Sequence, residues 1–323
     1  MSDKNTNNAR GIVVTAVVVI AVIAGLLAGL SYVVHPKNNT VEAGMFDGPG
    51  YGFLGEPNDT LDVAFLGDSR VYAALSPLQM YHEHGFTGYD IASPGVKVPV
   101  AYCMLRKAFK TQHPRVVAIE TDFFFAHDYP IGDGVFALIA DAVPLLEYHS
   151  RWKSLTPADF TEPIVTTWVD PQRGFRTGDG IKAANDKEVE LAYMETSEVE
   201  HMPHNIPLYL RMIVDLCYQN GATPLLITIP SVKSVTDARR NGIQELADDL
   251  GITYLDLNEH MDELDIDWDR DSYDGGEHLN DVGSSKASRF LGEYLKEHYD
   301  LPDHRGDSAY AVWDKDYATL YEE

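Results

Sequence analysis

Residues Gly11–Val34 read GIVVTAVVVIAVIAGLLAGLSYVV, an apolar run that no charge interrupts. About 20 apolar residues in a helix cross the hydrocarbon core of a bilayer. The run also exceeds the roughly 7–15 apolar residues of a cleavable signal core. An uncleaved membrane anchor is therefore expected at 11–34, behind a cytoplasmic tail at 1–10. Lys4 and Arg10 precede the run, and His35 and Lys37 follow it. That balance is too even to set orientation by charge. No second span follows, which leaves the bulk of the chain as one domain outside the cytoplasm. Ala24, Gly25, Ala28 and Gly29 within the run fit a plain lipid anchor as well as a helix-packing face.

Beyond the anchor, 45% of the chain's 323 residues are hydrophobic, enough for a real core rather than a disordered chain. The formal net charge is −25, which repels phosphate backbones and argues against nucleic acid as a partner. Cys103 and Cys217 lie in no metal-ligand spacing and form no disulfide scaffold. The acidic stretches lack the spacing of a calcium loop, so neither metal nor cofactor is expected.

From residue 61 the chain alternates buried-strand and helical patterns. Strands are expected at 61–66, 88–92, 115–120, 223–229 and 252–257. Helices are expected at 71–84, 98–111, 207–220, 235–250 and 282–298. Strands separated by helices pair in parallel through right-handed crossovers. The fold class is therefore α/β, a three-layer sandwich with a central parallel sheet. Its ligands bind at the carboxyl ends of the strands. Residues 35–60, rich in Gly, Pro and Asn, read as a stalk, and 301–323 as a C-terminal tail. Within the 61–300 domain, residues 123–205 break the rhythm and read as an insertion over the strand ends.

The first strand runs straight into Gly67-Asp68-Ser69-Arg70. A serine there opens the next helix, beside backbone N–H groups able to stabilise an oxyanion. Before the last helix stands Asp271-Ser-Tyr-Asp274-Gly-Gly-Glu277-His278. A nucleophilic serine needs a base, and the base needs an acid to orient it. His278 supplies the base and Asp274 the favoured acid, with Asp271 and Glu277 as rivals. Arg151 and Trp152, an arginine beside an aromatic, are candidate substrate-binding residues. Arg70 and Lys107 are expected to be solvated.

FLGDSRVY (Phe65–Tyr72) and DSYDGGEHLNDVG (Asp271–Gly283) together resemble the SGNH/GDSL hydrolase superfamily. The anchor, the YHSRW segment and the tail Asp303-His-Arg…Trp313 resemble its membrane-anchored bacterial branch. That branch includes D-alanyl-lipoteichoic acid biosynthesis protein and alginate O-acetyltransferase-like proteins. The resemblance implies Ser69 as nucleophile, His278 as base, and backbone N–H groups of Ser69 and Gly95 facing the oxyanion. It implies esterase or O-acyltransferase chemistry on an acylated cell-envelope glycan or acyl donor, with a multi-span membrane acyltransferase as a partner. Two positions depart from the pattern. The third block's Asn is absent, Asp122 standing after the third strand, and the acid lies four residues before the histidine instead of three. These departures keep open a second class, a non-catalytic accessory protein.

Overall fold

The computed structural model describes residues 2–125 and 130–322, with side chains from Arg10 onward. Five parallel strands form one sheet: β1 (Val63–Gly67), β2 (Gly88–Ala92), β3 (Val116–Glu120), β4 (Thr223–Thr228) and β5 (Thr253–Asp256). Their order is β2-β1-β3-β4-β5. The chain order reverses direction at β1, so the carboxyl end of β1 lies where such sheets open a crevice.

Ten helices are used below. They are α1 (Ser2–Val34), α2 (Ser69–Ala74), α3 (Pro77–His84), α4 (Val98–Ala108), α5 (Ile131–Ala142), α6 (Pro144–Tyr148), α7 (Ile206–Gln219), α8 (Asp237–Leu250), α9 (Asp281–His298) and α10 (Ala311–Tyr321). Alternate strand residues feed two separate cores, as a two-residue period requires. Leu66, Ile91 and Ile119 join the core under α4, α7 and α8. Phe65, Ala118 and Ile227 join the core under α2, α3 and α9. The expected three-layer sandwich is thus the observed one. The single helix expected at 71–84 is two. Ser76 caps α3 by accepting from Gln79 N at 3.2 Å, and Pro77 occupies the first turn, where its missing N–H costs nothing.

α1 contains the segment Arg10–Val34, of mean hydropathy 2.9, which is long and apolar enough to cross a membrane. The expected stalk is a correction. Asn39 is buried and donates to the carbonyls of Tyr51 and Trp168. Met45, Tyr51 and Phe53 enter the core beside Tyr89. Gly, Pro and Asn mark irregular backbone, and here that backbone is packed rather than free. The tail is packed too: Trp313 of α10 is 1% exposed, and the Arg173 guanidinium lies 4.4 Å over its ring. Arg173 is itself fully buried and ion-paired with Glu56 and Asp316.

The insertion does two jobs. Residues 173–184 run beside the strand ends: Arg176 N donates to Tyr72 O, Thr177 Oγ1 to Leu279 O, and Lys182 N to Ser272 O. Its earlier part packs on the end of α1 instead, where Leu145 N donates to Ser31 Oγ.

Candidate active site

The turn that delivers Ser69 is set by contact distances. A Cβ at Gly67 would lie 2.6 Å from Val71 Cγ2 and 2.9 Å from Glu120 Cβ, so only glycine lets β1 meet α2 this closely. Asp68 then caps α2, its Oδ1 accepting from Arg70 N at 3.0 Å. Ser69 follows as the first helical residue, half-buried at the carboxyl end of β1.

The opposite side comes from the loop before α9. Gly275 (φ +87°) and Gly276 (φ +94°) occupy the left-handed region that favours glycine. Gly276 O accepts from Val232 N and Ser231 Oγ, which pins the loop beyond β4. This glycine pair absorbs the extra residue between acid and base. Asp274 Oδ2 lies 2.6 Å from His278 Nδ1, and His278 Nε2 lies 2.8 Å from Ser69 Oγ. Asp274 Oδ1 accepts the backbone N–H groups of Glu277 (3.1 Å) and His278 (2.9 Å). Burial disfavours the Asp274 charge, but the hydrogen bonds from His278 and Glu277 outweigh it and hold its pKa below the usual value. The Tyr273 ring stacks on the His278 ring at 5.7 Å. An ionised acid, an imidazole and a hydroxyl therefore stand in line, the arrangement that lets a hydroxyl lose its proton as it attacks a carbonyl.

The rival acids are committed elsewhere. Asp271 is 2% exposed and its Oδ2 accepts from Asp267 N (2.8 Å) and Lys286 Nζ (2.7 Å). Glu277 Oε1 accepts from Arg70 Nη2 at 2.5 Å. Gly95 sits in an exposed turn after β2 at φ +58°, with open space beside its Cα. Because Gly67 pairs with Ala92, this turn and Ser69 leave the sheet at adjacent strand ends.

Asp122 is not an oxyanion donor. Its carboxylate pairs with Arg70 Nε (2.8 Å) and Arg239 Nη1 (3.3 Å). Burial, then the neighbouring Asp122 and Asp68 charges, push the Glu120 carboxyl well above its usual range. Burial raises the Asp122 carboxyl as well, against the opposing pull of the Arg70 and Arg239 charges.

Arg70, expected in solvent, is 6% exposed and bridges the two halves of the site. It holds Asp122 at the end of β3 and both the side chain and the carbonyl of Glu277, next to His278. No local pattern marks such a residue, because its partner lies 207 positions away. Removing one member of a buried pair strands the others. Arg70→Ala should therefore lower stability by about 3 kcal/mol, the low end of such losses because Arg239 still neutralises Asp122. A shift of the urea midpoint at constant slope is the measurement. A midpoint within error of wild type would show the bridge to be idle.

Lys107 is also not solvated; it pairs with Asp141 Oδ1 at 2.9 Å. Arg151 and Trp152 are not brought to Ser69. Arg151 donates to Val34 O (2.6 Å) and to Asp159 Oδ1 (2.9 Å), and Trp152 is 65% exposed beside it. An apolar cavity of about 450 Å³ lies between α4 and α5, with Val100, Cys103 and Phe136 in its wall. None of its lining residues belongs to the Ser69–His278–Asp274 line.

No protein-family profile and no curated protein matches the chain. Solved structures do resemble it. One, described as a lipolytic protein of the G-D-S-L family from Desulfitobacterium hafniense, is 12% identical. It matches 72% of this chain and 98% of its own length, with a TM-score of 0.37. Another, described as an acylhydrolase from Bacteroides fragilis, is 12% identical over 76% of this chain and 91% of its own, with a TM-score of 0.36. A third, a GDSL-like lipase from Bacteroides thetaiotaomicron, is 11% identical over 73% and 88%, with a TM-score of 0.35.

Proposed function

We propose that the protein is a membrane-anchored serine esterase or O-acyltransferase of the SGNH/GDSL type, working outside the cytoplasm on acyl esters of cell-envelope glycopolymers. The observation that carries this reading is the unbroken line from Asp274 through His278 to Ser69. Ser69 Oγ attacks the ester carbonyl while His278 Nε2 takes its proton. The tetrahedral oxyanion is met by the Ser69 and Gly95 backbone N–H groups. Collapse expels the alcohol, which receives the proton back from His278 and leaves an acyl-serine. Water or a sugar hydroxyl then gives its proton to His278 and attacks the acyl carbon. The bond to Ser69 Oγ breaks, His278 returns the proton to that oxygen, and the product is a free acid from water or a new ester from a sugar hydroxyl. The anchor favours an envelope substrate, because it would hold the domain at the membrane surface where such polymers are assembled.

A fluorophosphonate probe tests the chemistry, since it phosphonylates only an activated serine. Stoichiometric labelling mapped to Ser69 is expected. The second reading, an accessory protein that binds a membrane acyltransferase or the polymer, draws on one observation. Asp122 occupies the position of the third-block Asn and is locked by two arginines. Absence of labelling in folded protein would favour it.

The anchor has its own test. Protease added to intact, wall-stripped cells should digest the chain beyond about residue 38 and leave the first segment embedded. Protection of the large domain in unpermeabilised cells would refute the topology.

A further inference from the structure

The anchor helix does not end in a free linker; it is gripped by a collar. Ser31 and Val34, in the last turn of α1, are 7% and 4% exposed. Ser31 accepts from Leu145 N in α6, Val34 O accepts from Arg151, and Tyr32 donates to Glu162 O at 2.6 Å. Val165 N donates to Lys37 O. If a bilayer core takes about 20 residues from Gly11, it ends near Leu30. The collar therefore sits at the headgroup level of that leaflet, with its position fixed by α1 itself.

The outer surface of the collar carries several large exposed apolar side chains, with the exposed Glu162 among them. Trp152, beside Arg151, is 65% exposed, and Phe160, beside Asp159, is 59% exposed. Ile164 and Val165, in the segment that bonds to Lys37, are 39% and 45% exposed, and Ile139, near the end of α5, is 48% exposed. Cations accompany the aromatics: Lys153 Nζ lies 5.8 Å from the Trp152 ring centroid, and Lys37 Nζ lies 3.7 Å from that of Tyr32. Exposed Trp and Tyr with long basic side chains are the composition of a membrane–water interface, where the ring is half-buried and the cation reaches the phosphates.

We propose that Trp152, Phe160, Ile164 and Val165 are immersed in the interfacial region of the bilayer that α1 crosses. The domain then docks on the membrane at one height and one tilt. The occupant is the lipid surface and not a protein, because the patch is continuous with the span and the span itself lies in lipid. This inference rests on α1 being a membrane span, and the experiment separates the two.

The full chain in nanodiscs containing one copy each would carry single nitroxide labels at Val18→Cys, Trp152→Cys, Phe160→Cys and, as an aqueous reference, Asp249→Cys. The native Cys103 and Cys217 are buried, which keeps background labelling low. Collision with oxygen reports lipid, and collision with a water-soluble nickel chelate reports water. The expected result is oxygen contact exceeding nickel contact at 18, 152 and 160, with the reverse at 249. A lipid reading at 18 with nickel contact dominant at 152 and 160 overturns the docking and keeps the anchor. A watery reading at 18 overturns both. Low contact with either reagent at 152 and 160 means that protein covers the patch, which also overturns the proposal. Trp152 and Phe160 are both exposed, so substitution at one leaves the fold and the other position as an independent check.

Discussion

Ser69→Ala should abolish fluorophosphonate labelling and reduce ester cleavage or acyl transfer by about 10⁴-fold or more. The size follows from the arrangement. Ser69 Oγ is the atom on which His278 Nε2 converges at 2.8 Å, and no other hydroxyl is recorded at that nitrogen among the described residues. Loss of the nucleophile leaves only the oxyanion donors and substrate binding, which together give a small residual rate. Stability should change little. Ser69 is half-buried, the capping role at this helix end belongs to Asp68, and the substitution removes one oxygen. Thermal unfolding within about 1 kcal/mol of wild type, together with lost labelling, is the expected pair of results. A Ser69→Ala protein with wild-type turnover would refute the assignment of the nucleophile.

The first and last elements of the site were the most legible in the sequence. A buried strand running into Gly-Asp-Ser and a His four residues after an Asp are local patterns, and a parallel sheet puts both at one edge. The helix and strand limits follow equally local signals. Gly88–Ala92 agrees at both ends, and Gly251 closes α8 in the left-handed conformation expected of such a stop. The departures share a different cause, which is long-range packing. Residues 38–58 look like linker by composition, but composition does not reveal that Phe53 finds Tyr89 across the sheet edge. Arg70 looks like any surface charge until Asp122 and Glu277 are placed around it. Arg151 looks like a substrate ligand until the carbonyl left over at the end of α1 is seen to claim it. In each case a polar or irregular residue is fixed by a partner more than 35 positions distant, outside any periodic window.

Asp274→Asn should lower turnover by about 10⁴-fold while leaving the fold intact. Asp274 does two things that an amide cannot do together. Its Oδ2 takes the His278 Nδ1–H and so presents the lone pair of Nε2 to Ser69. Its charge then stabilises the imidazolium formed when Ser69 gives up its proton. Asparagine can turn its NH₂ toward Nδ1, which selects the other tautomer and leaves Nε2 with a proton and no base function. The backbone N–H groups of Glu277 and His278 can still be met by the amide oxygen, so the loop should hold. The pH dependence carries a definite sign. The folded pKa of Asp274 is depressed, so its contribution is complete above the unfolded value of roughly 3.9 and is lost as pH falls through the folded value. The wild-type protein should therefore keep this contribution throughout the range above about pH 5, and Asp274→Asn should lose activity evenly across it. Asp271→Asn is the contrast. Asp271 holds Lys286 and the Asp267 N–H, so its substitution should destabilise the α9 loop and leave turnover of the remaining folded protein largely unchanged. Kinetics normalised to folded fraction, with urea unfolding beside them, separate the two. Greater loss of turnover per folded molecule in Asp271→Asn than in Asp274→Asn would overturn the choice of acid.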